Sequence, residues 1–344
     1  MSNKINVLIA GPLGPEFAQQ IQGVDPRIHL LYAPDLLGAP RYATDHNPPV
    51  QRTPEQEARW RDLLAQADVM FGFDYTHLND LLDVAPRLKW VQGTSTGIGL
   101  SVQKFGWDQS SIVFTTAGGV HSGPLAEFCL MAMLMFVKGA FHMAAEKERR
   151  HWERYAGAEL RGKTLAVIAL GSGGRQVARL ARCLGMRVLG TKRSIEGIEP
   201  TSLGVERLYP WTDLHPMLAQ ADFVVLYLPH TPETEGLIGA AELAAIKPGG
   251  VLINVARGSI WDEQAVIAAL QSGHLGGMAA DVFSVEPLPT DSPLWDMPNV
   301  LISPHSASAA DSENAKLTEL FCDNLRRYLA GEPLRNVLDT QRLY

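Results

Sequence analysis

Short apolar runs alternate with stretches of helical periodicity from the first residues onward. Residues 7–10, 28–32, 69–73, 89–92 and 112–115 read as strands, and the helical stretches between them predict a parallel sheet. Thr53-Pro54-Glu55-Gln56 carries a start signal: Thr can cap, Pro suits the first turn and Gln completes a capping box. It predicts a helix over 54–66. A second alternation begins after Leu160-Arg161-Gly162-Lys163, with strands predicted at 165–170, 186–190, 223–228, 251–255, 278–282 and 300–303. Six strands in one half predict a complete nucleotide-binding domain. The tail over 311–331 is helical again and is expected to return to the first half.

The whole pattern predicts an α/β protein of two Rossmann-like or flavodoxin-like domains, each a mostly parallel sheet flanked by helices, with a cleft between them. Residues 1–119 plus 305–344 are expected to form a discontinuous substrate domain, and 120–304 the dinucleotide-binding domain. With 344 residues, 46% hydrophobic, there is apolar material for two cores. A formal charge of −7 argues against nucleic acid as a partner, since phosphate contacts need excess Lys and Arg. The apolar run 128–137, bounded by Glu127 and Lys138, is about half the length a bilayer needs and reads as a buried or interface helix. Cys129, Cys183 and Cys322 lie far apart and read as small core residues; no paired spacing suggests a disulfide or metal site. The start lacks signal-peptide character, which predicts a cytoplasmic protein.

The strand over 165–170 runs into Gly171-Ser172-Gly173-Gly174 and then a helix. Glycines there let a pyrophosphate approach the backbone and the helix N-terminus, where free N–H groups favour an anion. Gly171 and Gly174 align as the second and third glycines of the dinucleotide fingerprint, Gly173 adds freedom to the turn, and Ala169 stands where the first glycine belongs. An acidic residue about twenty positions on normally receives the ribose 2′-hydroxyl of NAD. Here the second strand ends in Lys192-Arg193-Ser194, two cations and a hydroxyl suited to a 2′-phosphate. NADP is therefore expected over NAD.

Three polar residues fall at C-terminal strand ends, where open α/β sheets hold ligands: Arg257 in Asn254-Val-Ala-Arg-Gly258, Glu286 in Asp281-Val-Phe-Ser-Val-Glu-Pro287, and His305 in Ser303-Pro-His-Ser306. At these residues the chain resembles the D-isomer-specific 2-hydroxyacid dehydrogenase family, in its glyoxylate/hydroxypyruvate reductase-like branch. The resemblance continues through His121-Ser-Gly-Pro-Leu-Ala-Glu127, Leu228-Pro-His-Thr-Pro-Glu-Thr234 and Asn336-Val-Leu-Asp339. The chemistry is coherent: a guanidinium fork suits the carboxylate of a 2-oxo acid, a histidine can supply the proton that accompanies a hydride, and a carboxylate on its other nitrogen fixes the tautomer. Arg257 is thus expected to bind substrate, with His305 as acid/base and Glu286 as its partner.

The resemblance further implies that main-chain N–H groups around Ser95, Thr96 and Gly97 help bind the substrate carboxylate. It puts Asp281 near the nicotinamide carboxamide, Pro229, His230, Thr234, Val255 and Ala256 around the cofactor, and Leu125 and His121 at the nicotinamide face. His121 could equally cap its helix. The resemblance implies a homodimer built on the segment that follows, with Trp152 either in that interface or over the core; no metal and no membrane contact are expected. Formate and phosphite dehydrogenases share the architecture, but formate enzymes carry Gln where Glu286 stands. Corepressors that sense dinucleotide on this fold are the rival from another class.

Overall fold

The computed structural model describes residues 4–344, in two compact units: the described residues through Val120 with Ala309–Tyr344, and His121–Ser308. In the first unit β1 (Ile5–Ile9), β2 (Ile28–Leu31), β3 (Val69–Phe71), β4 (Trp90–Gln92) and β5 (Val113–Thr115) form a parallel sheet in the order β2-β1-β3-β4-β5. Side chains alternate across a strand, so β1 sends Val7 and Ile9 into one core and Leu8 into another. The helix Pro54–Gln66 starts with the expected capping box between Thr53 and Gln56 and buries Trp60 and Leu64 beside Leu8. On the opposite face the helix Glu313–Ala330 lays Leu317, Phe321 and Leu325 against Val7 and Ile9, with the Phe321 and Phe71 rings edge to face at 5.2 Å. Burial of that apolar stripe is why the C-terminal segment belongs to the unit built by the N-terminus.

The second unit contains β6 (Thr164–Ile168), β7 (Arg187–Lys192), β8 (Arg207–Pro210), β9 (Phe223–Leu226), β10 (Gly250–Asn254), β11 (Leu275–Ala280) and β12 (Val300–Ile302). All are parallel, in the order β12-β11-β10-β9-β6-β7-β8. The sheet has seven strands where six were expected. β8 is an edge strand of sequence Arg-Leu-Tyr-Pro that buries only Tyr209, so it lacks the apolar run that marks the others. Residues 305–308 lie in this unit rather than with the first, because the main chain of His305, Ser306 and Ala307 is hydrogen-bonded to Asp281.

The apolar run 128–137 lies in the helix Ser122–Lys138, which buries Ala126, Cys129, Ala132, Met133 and Val137 and leaves Met131 and Leu134 exposed. Among the described residues no single helix is long and apolar enough to cross a membrane. Cys129 and Cys322 are buried, but Cys183, at the end of the helix Ser172–Cys183, is exposed and is not the core residue expected.

One backbone feature stands at the start of the glycine turn that follows β6. Ala169, directly after β6, has φ +76°, a left-handed conformation that costs an L-residue about 1 kcal/mol. It is held there by hydrogen bonds from its own N–H to Thr191 Oγ1 at 3.0 Å and from the Leu170 N–H to the Thr191 carbonyl at 2.9 Å. Ala169→Gly is expected to raise the unfolding free energy of this unit by about 1 kcal/mol in urea denaturation. A lower midpoint for the glycine variant would show that the turn stores no strain.

Candidate active site

Arg257, Glu286 and His305 follow three strands that are neighbours in the sheet. Arg257 comes after β10, Glu286 after β11 and His305 after β12, with Asn254 opposite Ala280 and Ala280 opposite Ile302 in register. The turn that carries Arg257 is wrapped by the buried Asn254 side chain, whose Oδ1 accepts from the Ala256 N–H at 3.0 Å and whose Nδ2 donates to the Arg257 carbonyl at 3.1 Å. A Cβ at Gly258 would overlap the Phe283 carbonyl, so only glycine lets this turn lie directly on the Phe283–Glu286 loop. The Arg257 guanidinium donates to the Ala256 carbonyl at 2.7 Å. Burial lowers its pKa from the usual arginine value, against the attraction of Glu286 and Asp281.

The His305 Nδ1 and Glu286 Oε2 are 2.7 Å apart, and Glu286 Oε1 accepts from the Phe283 N–H at 3.0 Å. Partial burial works against the charged carboxylate, but the bonds from His305 and Phe283 and the nearby Arg257 outweigh it. The Glu286 carboxyl is therefore held below its ordinary value. An ionised Glu286 accepts, so the proton sits on Nδ1 of the imidazole and Nε2 is the nitrogen available for exchange. The His305 ring is 45% exposed, open enough to meet a small molecule.

Asp281 holds this histidine in place. Its carboxylate, 2% exposed, accepts through Oδ1 from the Ser303 hydroxyl at 2.6 Å and from the N–H groups of Ser306 and Ala307 at 2.7 and 2.9 Å. The His305 N–H in turn donates to the Asp281 carbonyl at 2.9 Å, and His305 is itself left-handed with φ +53°. These four bonds close the loop after β12 around one buried carboxylate.

After β6 a glycine turn opens into the helix Ser172–Cys183, and its glycines serve different ends. Gly171 is extended and caps the helix Ser172–Cys183, and a Cβ there would meet nothing, so main-chain N–H groups of the first turn are approachable. A Cβ at Gly174 would overlap the Ala169 carbonyl, in keeping with its packing role. Gly173 sits inside the helix with ordinary helical φ, so it adds no freedom to the turn; it provides space, because a Cβ there would fall within the Tyr227 ring. An open glycine, close packing behind it and a twelve-residue helix fit a dinucleotide pyrophosphate.

Lys192 ends β7, followed by exposed Arg193 and Ser194; the Arg193 guanidinium is 3.7 Å from Glu233. Pro229, His230 and Thr234 lie in the loop after β9, where Thr234 Oγ1 donates to the Pro229 carbonyl and accepts from the Thr231 N–H, each at 2.8 Å. Val255 and Ala256 have buried side chains, leaving only their main chain to a ligand, and Leu125 is buried in the first turn of its helix. The His121 side chain does not cap that helix. Ser95, Thr96 and Gly97 belong to the other unit, in a turn where the Gly97 N–H reaches Ser95 Oγ at 3.3 Å. Asn254, Gly258 and Tyr227 escaped the reading of the sequence. The Arg-Gly pair at 257–258 was the one available signal, as a glycine beside a charged loop residue marks a close main-chain approach.

Two doubly covered parallel sheets, one with a glycine turn into a helix and three polar loops at its C-terminal edge, define a nucleotide-dependent α/β class. A family model for the NAD binding domain of D-isomer specific 2-hydroxyacid dehydrogenases matches residues 130–307. The chain is 31% identical over 306 residues to a glyoxylate reductase from Aeropyrum pernix, covering 86% of this chain and 88% of that one. It is also 31% identical over 279 residues to a D-3-phosphoglycerate dehydrogenase from Methanocaldococcus jannaschii, covering 80% of this chain and 52% of that one, so it spans about half the length of such relatives. The crystal structure of an NADPH-dependent glyoxylate/hydroxypyruvate reductase from Sinorhizobium meliloti, with NADP and sulfate, superposes with TM-score 0.80 at 26% identity, covering 99% of this chain and all of that one. The chain belongs to the D-isomer specific 2-hydroxyacid dehydrogenase family.

The depressed Glu286 pKa gives a signed prediction. A carboxyl whose folded value lies below its ordinary 4.5 contributes stability that is fully present above that pH and lost as pH falls through the folded value. The stability difference between the wild type and Glu286→Gln, read by urea denaturation, should therefore shrink as pH falls below 4.5. A difference that grows as pH falls further below 4.5 would contradict the bond pattern described.

Proposed function

We propose that this chain is an NADP-preferring reductase of small 2-oxo acids, acting reversibly on D-2-hydroxy acids, with Arg257 on the carboxylate and His305 as acid/base. The observation that carries the reading is the 2.7 Å bond between His305 Nδ1 and Glu286. A nicotinamide dinucleotide, when bound, supplies the hydride. Gly171, Ser172, Gly173 and Gly174 would receive its pyrophosphate, and Lys192, Arg193 and Ser194 its adenosine end. Val255, Ala256, Asp281, Pro229, His230, Thr234 and Leu125 are proposed to line the rest of its site.

Arg257 grips the planar carboxylate and polarises the neighbouring carbonyl, and its partial desolvation strengthens the attraction. Negative charge that builds on the carbonyl oxygen is met by the proton on His305 Nε2, and Glu286 stabilises the charged imidazole before that transfer. In the oxidative direction the same nitrogen takes the hydroxyl proton. Main-chain N–H groups at Ser95, Thr96 and Gly97 are proposed as a second hold on the carboxylate. A carboxylate at Glu286 favours acid–base reduction over bare hydride removal from formate. The cationic pair Lys192 and Arg193, and the NADP of the Sinorhizobium meliloti relative, support NADP over NAD.

The test is a panel of 2-oxo acids, glyoxylate and hydroxypyruvate first, assayed with NADPH and NADH. NADPH is expected to give at least tenfold higher kcat/KM, and His305→Ala to lower kcat by about a thousandfold or more while dinucleotide binding persists. Equal efficiency with the two cofactors would refute the preference for NADP, and near-normal kcat in the variant would refute the role of His305. Tight dinucleotide binding without turnover of any 2-oxo acid would instead indicate a sensor.

A homodimer is part of the same reading. Met131, Leu134 and Met143 on the helices Ser122–Lys138 and Ala140–Arg149, with Trp152 at 94% exposure, give an apolar surface that a second copy would cover. Light scattering at micromolar concentration should return twice the chain mass; a monomer at that concentration would remove this part.

A further inference from the structure

The nucleotide turn is buttressed from beneath by a residue that no part of the proposed reaction uses. Tyr227 follows β9, the strand beside β6, and its N–H donates to the Ile168 carbonyl at 3.1 Å, one residue before the left-handed Ala169. Its ring occupies the volume that a side chain at position 173 would need: a Cβ on Gly173 would overlap Cζ, Cε1 and Oη. The backbone at Gly173 is one that any residue adopts, so this space is the reason for glycine there. The Tyr227 hydroxyl interacts with the side chain of Ser122, the first residue of the helix Ser122–Lys138, and Ser122 Oγ is 3.5 Å from Ser172 Oγ at the start of the nucleotide helix. A phenol and two serines thus link the N-termini of two packed helices. Burial pushes the phenol pKa up, keeping it neutral.

We propose that Tyr227 is the positioning residue of the phosphate-binding turn, and that Gly173 and Tyr227 form a complementary small–large pair. Its main chain holds the end of β6, its ring sets how deeply the first helical turn sits, and its hydroxyl sets that turn against Ser122. Together these fix the direction of the Ser172 and Gly173 N–H groups, which in the cofactor reading receive the pyrophosphate; the inference rests on that reading. Tyr227 acts through this turn and touches no reacting atom.

The pair makes a double-substitution test possible. Dissociation constants are measured on the full chain by dinucleotide fluorescence, with NADPH or NADH, whichever the wild type binds more tightly, and Tm is recorded beside each. Gly173→Ala should raise Kd about thirtyfold or more by displacing the ring, and adding Tyr227→Leu, which clears the space but lacks the hydroxyl, should bring it back to about the level of Tyr227→Phe. Tyr227→Phe, which keeps the ring and loses the hydroxyl, should raise Kd about three- to tenfold with Tm nearly unchanged. Wild-type affinity in Gly173→Ala, or a double variant no better than that single one, would overturn the pairing. If Gly173→Ala does not fold, Tyr227→Phe decides: a raised Kd supports the proposal and an unchanged one overturns it. A wild type that binds neither dinucleotide would bring down the cofactor reading, and this inference with it, whereas binding without coupling would bring down this inference alone.

Discussion

Lateral pairing of β10, β11 and β12 is the constraint on which the rest of the second unit depends. Parallel strands lie about 4.8 Å apart, and their C-terminal ends emerge on one edge, so three loops that are distant in sequence start side by side. No long-range attraction between Arg257, Glu286 and His305 has to gather them, because the sheet does so through main-chain hydrogen bonds. What remains for side chains is to fix each loop over a few ångströms. Asn254 does this for the first loop and Asp281 for the last, each as a buried polar group satisfied by main-chain partners. The cost of burying a carboxylate explains why Asp281 collects three donors on one oxygen.

The same arrangement explains why His305 lies with the second unit. A left-handed histidine is an uncommon conformation, and here bonds to the carbonyl and carboxylate of Asp281 on both sides of it hold the backbone over. The adjoining β12 is a half-buried edge strand, so these bonds, more than apolar packing, keep the loop in register.

Most strands were legible in the sequence, because a sheet covered on both faces demands unbroken apolar runs such as those at 165–168 and 223–226. β8 was not, since an edge position releases all but Tyr209 from that demand. The candidate trio could be named from residue type and strand-end position, but the contacts that orient it could not. Asn254 looks like any polar strand end, and the roles of Gly258 and Gly173 exist only against Phe283 and Tyr227, residues remote in sequence. Cys183 shows the converse: a residue type that is usually buried falls at a helix end on the exposed side.

Gly258 carries a consequence beyond packing. Because main chain rests on main chain at Phe283, the separation between the Arg257 and Glu286 loops is set by backbone thickness and not by rotamers. In the proposed reaction such a contact acts as a fixed gauge for one chemical unit, a carboxylate joined to a carbonyl, and it takes no account of what that unit is attached to. A scaffold built on this gauge can exchange one acid for another by altering distant loops, while the measuring part stays unchanged.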